Sequence, residues 1–308
     1  MGKPSNGGWK ASLAEVLKNH NRVKLDGTIA SHATQDKRAD ILYAGFKELR
    51  EMGYKLDDVK GFRGRHMEVL AAAWEEKKLS ASTIQNNISV FRTFAGWIGK
   101  PGMVERAEKY VTPGAASRSS INREDKSWQA QGVDIQAKIE EVTAKDARVG
   151  LQLALQATFG LRARESMQLR PKIADMGSYL ALSVGTKGGR DRVVPIDTQE
   201  KRELIDRAKT FAASKLASTS DPALTLAQAK NRYYHVLRSC GITRADGITG
   251  HGLRHGYAND RYRQISGEAS PVRGGKSTDA DIDHAARLEV AEELGHSRES
   301  VTTHYLGR

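Results

Sequence analysis

The chain has 308 residues, is 39% hydrophobic and carries a formal net charge of +12, enough length for two domains with ordinary cores and a charge that favours an acidic partner, nucleic acid before an anionic membrane surface. No apolar run reaches the roughly 18 residues a membrane span needs, and the first residues, Met1 to Gly8, hold neither an apolar signal core nor a myristoylation pattern, since Gly7 stands where Ser or Thr belongs. A single cysteine, Cys240, excludes an internal disulfide and suits a reducing cytoplasm.

Residues 1–10 read as a mobile tail. A short helix over Ala11–His20 places Leu13, Val16 and Leu17 on one face, and Asp26-Gly27 marks a turn. A longer helix from about Gln35 to Met52 carries Leu42, Phe46 and Leu49 and stops at Gly53. His66 to Lys78 is a third helix, with Met67, Leu70, Ala71 and Trp74 inward. In the fourth, Ser82 and Gln85 have capping-box spacing, and Ile84, Ile88, Phe91, Ala95 and Ile98 form the apolar stripe. Its other face carries Asn86, Asn87, Ser89, Arg92 and Thr93. Such a donor-rich face can enter a DNA groove, with Asn available to bases and Arg to phosphates, although a solvated face looks the same.

Pro101 and Gly102 end this bundle. The division expected is a helical unit over 1–111, a linker over 112–126 that is poor in apolar residues, and a second unit over 127–308. Fifteen extended residues reach at most roughly 50 Å, so two basic units could grip opposite faces of a duplex. The second unit opens with helices near Ile135–Thr143 and Ala147–Phe159. Tyr179–Val184 and Asp191–Ile196 read as a hairpin around Gly185–Arg190, and Pro195, lacking an N–H, should lie at an edge or end its strand. Helices near Thr198–Ser214 and Leu226–Ser239 follow, with Cys240 a buried thiol at the end of the latter.

The chemistry-bearing residues come in a fixed order: Gly160-Leu-Arg162-x-x-Glu165, then Thr186-Lys187, then His251-x-x-Arg254-His255, then Leu294-Gly-His296, then Tyr305. Guanidinium forks match phosphate oxygens. On a helix starting near Gly250, His251 and Arg254 share a face, and its N-terminus favours an anion. Ser297 has the character of an N-cap for a last short helix bearing Tyr305. Two competing patterns fail: Gly274-Gly-Lys276-Ser277-Thr278 lacks the first glycine and the preceding strand of a P-loop and reads as flexible loop, and His251/His255 lack the Glu of a zinc motif and have Arg254 between them. His284 and His304 are given no role.

Through these motifs the chain resembles the tyrosine recombinase (phage integrase) family, across essentially all of the second unit. Residues about 11–100, with Leu79-Ser-Ala-Ser-Thr83-Ile, are similar to the family's helical core-binding domain. The resemblance implies a mainly α fold with a small antiparallel sheet, a SAM-like core-binding domain followed by an α+β catalytic domain. It implies a site-specific recombinase or integrase of a mobile element that cleaves and rejoins DNA through a 3′-phosphotyrosyl link. Arg162 and Arg254 would hold the non-bridging phosphate oxygens, Lys187 would protonate the leaving 5′ oxygen, His251 would be the acid/base partner, His296 would hydrogen-bond the phosphate and Tyr305 would be the nucleophile. Glu165 would orient the first arginine's helix and His255 would stand behind the site. Thr83, Asn86, Asn87, Arg92 and Arg190 are the expected DNA contacts. No metal or nucleotide cofactor is expected; the partners implied are duplex DNA, three further copies on paired sites and accessory DNA-bending proteins, in the cytoplasm at the nucleoid. The alternatives are a relaxing enzyme of the type IB topoisomerase sort, a DNA-binding regulator that no longer cuts, and a metal phosphodiesterase.

Two departures stand out. The stretch from Arg254 to His296 is longer than usual in the family, the excess centring on Gly267 to Asp279. The chain also stops shortly after Tyr305, so a C-terminal segment exchanged between protomers is expected to be absent or built differently, or the sequence is trimmed.

Overall fold

The computed structural model describes residues 8–24, 27–119, 121–186, 190–276 and 279–308. It divides into two compact units, Met1–Ser119 and Ser120–Arg308.

The first unit is built on α1 (Gly8–His20), α2 (His32–Glu51), α3 (Gly64–Glu76) and α4 (Ala81–Trp97). The 3- and 4-residue apolar spacings become one core: Leu13, Leu42, Phe46, Leu49, Met67, Leu70, Ile84, Ile88 and Phe91 are all buried. Phe46 meets Phe94 and Phe62 edge-on, at ring separations of 5.3 and 5.7 Å. Helix α2 starts three residues before Gln35, because the Ser31 hydroxyl accepts from the Thr34 amide. The capping box expected at Ser82 is not formed. Ser80 caps α4 by accepting from Thr83, and the Gln85 amide donates instead to the carbonyl of Ala116 at 2.6 Å.

The segment 112–126 is tied at both ends. Thr112 bonds Glu75 and Arg118 bonds Ser82 in the first unit. Within the second, the Asn122 amide donates to the Thr303 carbonyl and the Trp128 indole to the Thr249 carbonyl, at 2.9 and 2.7 Å.

The second unit runs α5 (Ile135–Lys145), α6 (Ala147–Phe159), α7 (Ala163–Gln168), α8 (Pro171–Ala174), β1 (Tyr179–Leu182), β2 (Arg192–Pro195), α9 (Gln199–Thr210), α10 (Leu226–Ser239), α11 (Gly250–Ser266), α12 (Ala280–Glu293) and α13 (Thr303–Leu306). The two strands pair antiparallel with Leu180 opposite Val194 and Leu182 opposite Arg192, and β2 ends at Pro195 as its missing N–H requires. Cys240 caps α10 and is 4% exposed. Helix α11 is the organising element: it packs on α6, α12 and α13 and buries a continuous run from Gly252 to Asn259. Of the stretch expected as flexible loop, residues 274–278, Gly274 and Lys276 are exposed and residues 277 and 278 lie outside the described residues; the residues just before it are held in place. Pro271–Arg273 forms a 3-10 turn, and Arg273 bonds Asp125 at 2.8 Å and Asp260 at 2.5 Å. Among the described residues, no helix is long and apolar enough to cross a membrane.

Candidate active site

Four segments of the second unit converge. Arg162 stands just before α7, and Glu165 in the first turn of that helix reaches back to it, accepting from the Arg162 amide and from its guanidinium, both at 2.7 Å. Glu165 is fully buried and also accepts from Arg192 at 2.6 Å. Burial alone would raise its pKa, but Arg192, Arg254 and Arg162 outweigh it and hold the carboxyl below the usual range.

Arg254, in the second turn of α11, is 0% exposed. Its guanidinium donates to the carbonyls of Gly160 and Leu294. Gly160 is the C-cap of α6 and Leu294 the C-cap of α12. The last carbonyls of a helix lack intrahelical partners and sit at the negative end of its dipole, so a buried cation finds its acceptors there. Arg162 donates to the same Leu294 carbonyl at 3.2 Å. Gly160 takes φ +59, and a Cβ there would stand 2.4 Å from the Tyr257 ring, so this corner admits only glycine. Burial is the main reason that the Arg254 pKa is lowered, to about 10, so the side chain remains a cation at neutral pH.

Tyr305 reaches the cluster from α13 and is 5% exposed. Its hydroxyl accepts from Arg254 Nε at 3.3 Å and lies 3.4 Å from His296 Nε2. Three imidazoles surround its ring, His255 at 4.9 Å, His296 at 5.8 Å and His251 at 5.9 Å between centroids. Surrounding protein, then Arg254, Arg162 and Lys126, push His251 down to about 4, a depression tempered by solvent on its open side. Burial and then His251 push His255 down to about 3. Both rings are therefore neutral near pH 7. His255 Nδ1 is buried without a hydrogen-bond partner, which a neutral imidazole tolerates better than a charged one.

Arg162, His251, Arg254, His296 and Tyr305 thus come together, with Glu165 and His255 directly behind them. Lys187 lies outside the described residues. Arg190 is exposed beside the hairpin. The helix-start role expected of Ser297 is not seen: the chain enters α13 through the 3-10 turn Glu299–Thr302, whose leading residue is Arg298, with no side-chain cap. On α4, Thr83 is exposed, bonding Ser80 at 2.8 Å, and Asn86 and Asn87 are half-buried. Arg92 differs from its expected availability, for its guanidinium donates to the carbonyls of Val104 and Glu105 and so clamps the turn after α4.

The sequence reading missed three residues. Arg192 is 6% exposed, holding Glu165 and the Glu293 carbonyl. It shares strand parity with buried Val194, which was the available signal. Glu293 accepts from Tyr257 at 2.5 Å and Arg261 at 2.9 Å, and follows Ala286 and Val290 at helical spacing. Asn259 continues the His251, His255 stripe by one more turn.

Comparison with known proteins finds matches across both units. A family model described as integrase matches residues 118–260, and one described as phage integrase, N-terminal, matches residues 13–104. Tyrosine recombinase XerC of Xanthomonas axonopodis pv. citri (strain 306) is 32% identical over 157 residues, 50% of this chain and 49% of that protein. XerC of Xanthomonas campestris pv. campestris (strain B100) is 29% identical over 194 residues, 61% of this chain and 56% of that one. The matched region spans about half the length of these curated relatives. In fold, the chain is similar to a lambda integrase dimer bound to a COC′ core site, with TM-score 0.60 and 14% identity over 97% of this chain and 77% of that one. It is also similar to the XerH site-specific recombinase bound to a palindromic difH substrate, with TM-score 0.56 and 15% identity over 97% and 92%. The chain belongs to the tyrosine recombinase (phage integrase) family.

Proposed function

We propose that this protein is a site-specific DNA recombinase that cleaves and rejoins duplex DNA through a 3′-phosphotyrosyl intermediate. The observation that carries the reading is the Tyr305 hydroxyl within 3.3 Å of Arg254 and 3.4 Å of His296, with Arg162 tied to the same carbonyl as Arg254. In this reading Arg162 and Arg254 turn their remaining N–H groups to the non-bridging oxygens of the scissile phosphate, where charge gathers in the transition state. His251, neutral near pH 7, takes the phenolic proton, and His296 donates to the phosphate. The Tyr305 oxygen forms the new bond to phosphorus as the bond to the 5′ oxygen breaks, and that oxygen leaves with a proton from Lys187. Rejoining runs the same steps backward, since the phosphotyrosine is itself a phosphodiester.

The partners in this reading are duplex DNA and three further copies of the chain on paired sites, with accessory DNA-bending proteins, in the cytoplasm at the nucleoid. The XerC relatives and the DNA-bound integrase structures support it by kinship, and the net charge of +12 by electrostatics. Incubation with sheared genomic DNA, followed by capture and sequencing of covalent protein–DNA adducts, tests it. Adducts should be 3′-linked, should map to one sequence and should vanish in Tyr305→Phe while DNA binding persists. Adducts surviving that change would refute the reading, and adducts spread over all sequences would favour a relaxing enzyme.

A further inference from the structure

The C-terminal tail is held by three carbonyl clamps from three different segments. The Thr303 carbonyl accepts from the Asn122 amide at 2.9 Å, the Tyr305 carbonyl from Asn259 Nδ2 at 3.4 Å, and the Gly307 carbonyl from Arg287 at 3.0 Å. The middle clamp acts on the tyrosine itself, and its donor is the least replaceable. Asn259 is 0% exposed, and both ends of its amide are used. Nδ2 also donates to the His255 carbonyl at 2.8 Å, while Oδ1 accepts from the Ser270 hydroxyl. Two carbonyls on one side and a hydroxyl on the other leave one amide orientation satisfied.

Ser270 is likewise 0% exposed and belongs to the extra segment between Arg254 and His296. That segment is pinned by Arg273, which bonds Asp125, Asp260 and Ser127. Val272 packs on the tail so closely that a Cβ at Gly307 would lie 2.7 Å from its methyl. A purely space-filling role would be met by an apolar side chain at lower desolvation cost. The polar chain from Ser270 through Asn259 to the Tyr305 backbone instead fixes where the phenol can point.

We propose that Asn259 is a positioning residue for Tyr305, its amide oriented by Ser270, so that the 267–276 segment latches the tyrosine into the site of its own chain. The catalytic half of this statement rests on Tyr305 being the nucleophile; the latch does not.

Amide hydrogen exchange on the full chain, comparing wild type with Ser270→Ala and Asn259→Asp, tests the latch without any turnover. The expected result is at least tenfold faster exchange in residues 299–308 in both variants, with α5 and α6 unchanged. Unchanged exchange in 299–308, or equal acceleration across the whole second unit, overturns it. On a nicked duplex carrying a captured site, the folded variants should bind with wild-type affinity and form the Tyr305 adduct at least tenfold more slowly. Wild-type adduct rates, or a loss of affinity that accounts for the slower rate, would remove the positioning role. Should Asn259→Asp fail to fold, Ser270→Ala carries both measurements. If wild type forms no adduct while exchange behaves as expected, the proposed function falls and the latch stands.

Discussion

Arg192 donates to the carboxylate of Glu165 at 2.6 Å, with both side chains shut away from solvent. One strand thereby supports the helix start that presents Arg162. Replacing Arg192 by Leu leaves the Glu165 carboxylate with one fewer cation in a buried place, which costs about 3–5 kcal/mol. Urea unfolding of Arg192→Leu should show a lowered midpoint with little change in slope. Arg192→Lys keeps the charge but loses the fork, and should recover only part of the loss.

Arg254→Lys tests geometry against charge at the centre of the site. A lysine ammonium cannot span the Gly160 and Leu294 carbonyls and keep donors for a phosphate. The adduct rate should fall about 10²–10³-fold, with duplex affinity nearly unchanged. A fall confined to affinity would mean that Arg254 acts as a general DNA contact.

His255 makes stability depend on pH. Its pKa is pushed down to about 3 in the folded chain, chiefly by burial, against about 6.5 in an unfolded one. Between those values the unfolded chain binds more protons, so the stability linked to neutral His255 is complete above about pH 6.5 and lost as pH falls toward the folded value. His255→Gln should flatten the dependence by at most one proton, roughly 1.4 kcal/mol per pH unit. Urea titrations at several pH values from neutral to mildly acidic check it; equal slopes in the two proteins would place the proton uptake elsewhere.

Arg92 sorts structural from DNA-contacting roles on α4. Since its guanidinium clamps the carbonyls of Val104 and Glu105, Arg92→Gln should destabilise the first unit by about 1–3 kcal/mol. The salt dependence of duplex binding should barely change. A salt slope lowered by about one unit would instead make Arg92 a phosphate contact.

The helical stripes were legible because apolar residues repeat at 3 or 4 residues, as with Leu42, Phe46 and Leu49, whose helix stops before Gly53. Arg162, Arg254, His296 and Tyr305 were legible because their motifs come in an order that resembles one family's, despite the longer stretch between Arg254 and His296. Two kinds of feature were not. Helix starts were misplaced at Ser82, where the neighbouring Ser80 hydroxyl caps instead, and at Ser297, where the chain enters α13 through a 3-10 turn with no side-chain cap. Supporting polar residues such as Arg192, Glu293 and Asn259 stayed hidden, because their partners come from elements distant in the chain. The extra length after Ser266 was visible in the sequence but not its anchoring, in which one arginine, Arg273, joins it to both Asp125 and Asp260.

The Leu294 carbonyl restrains two guanidinia with a single oxygen. Whatever lifts the end of α12 therefore takes one acceptor from both cations at once, leaving Arg254 on the Gly160 carbonyl and Arg162 on the Glu165 carboxylate. The two guanidinium groups are thereby linked through a main-chain atom that no side-chain substitution can delete.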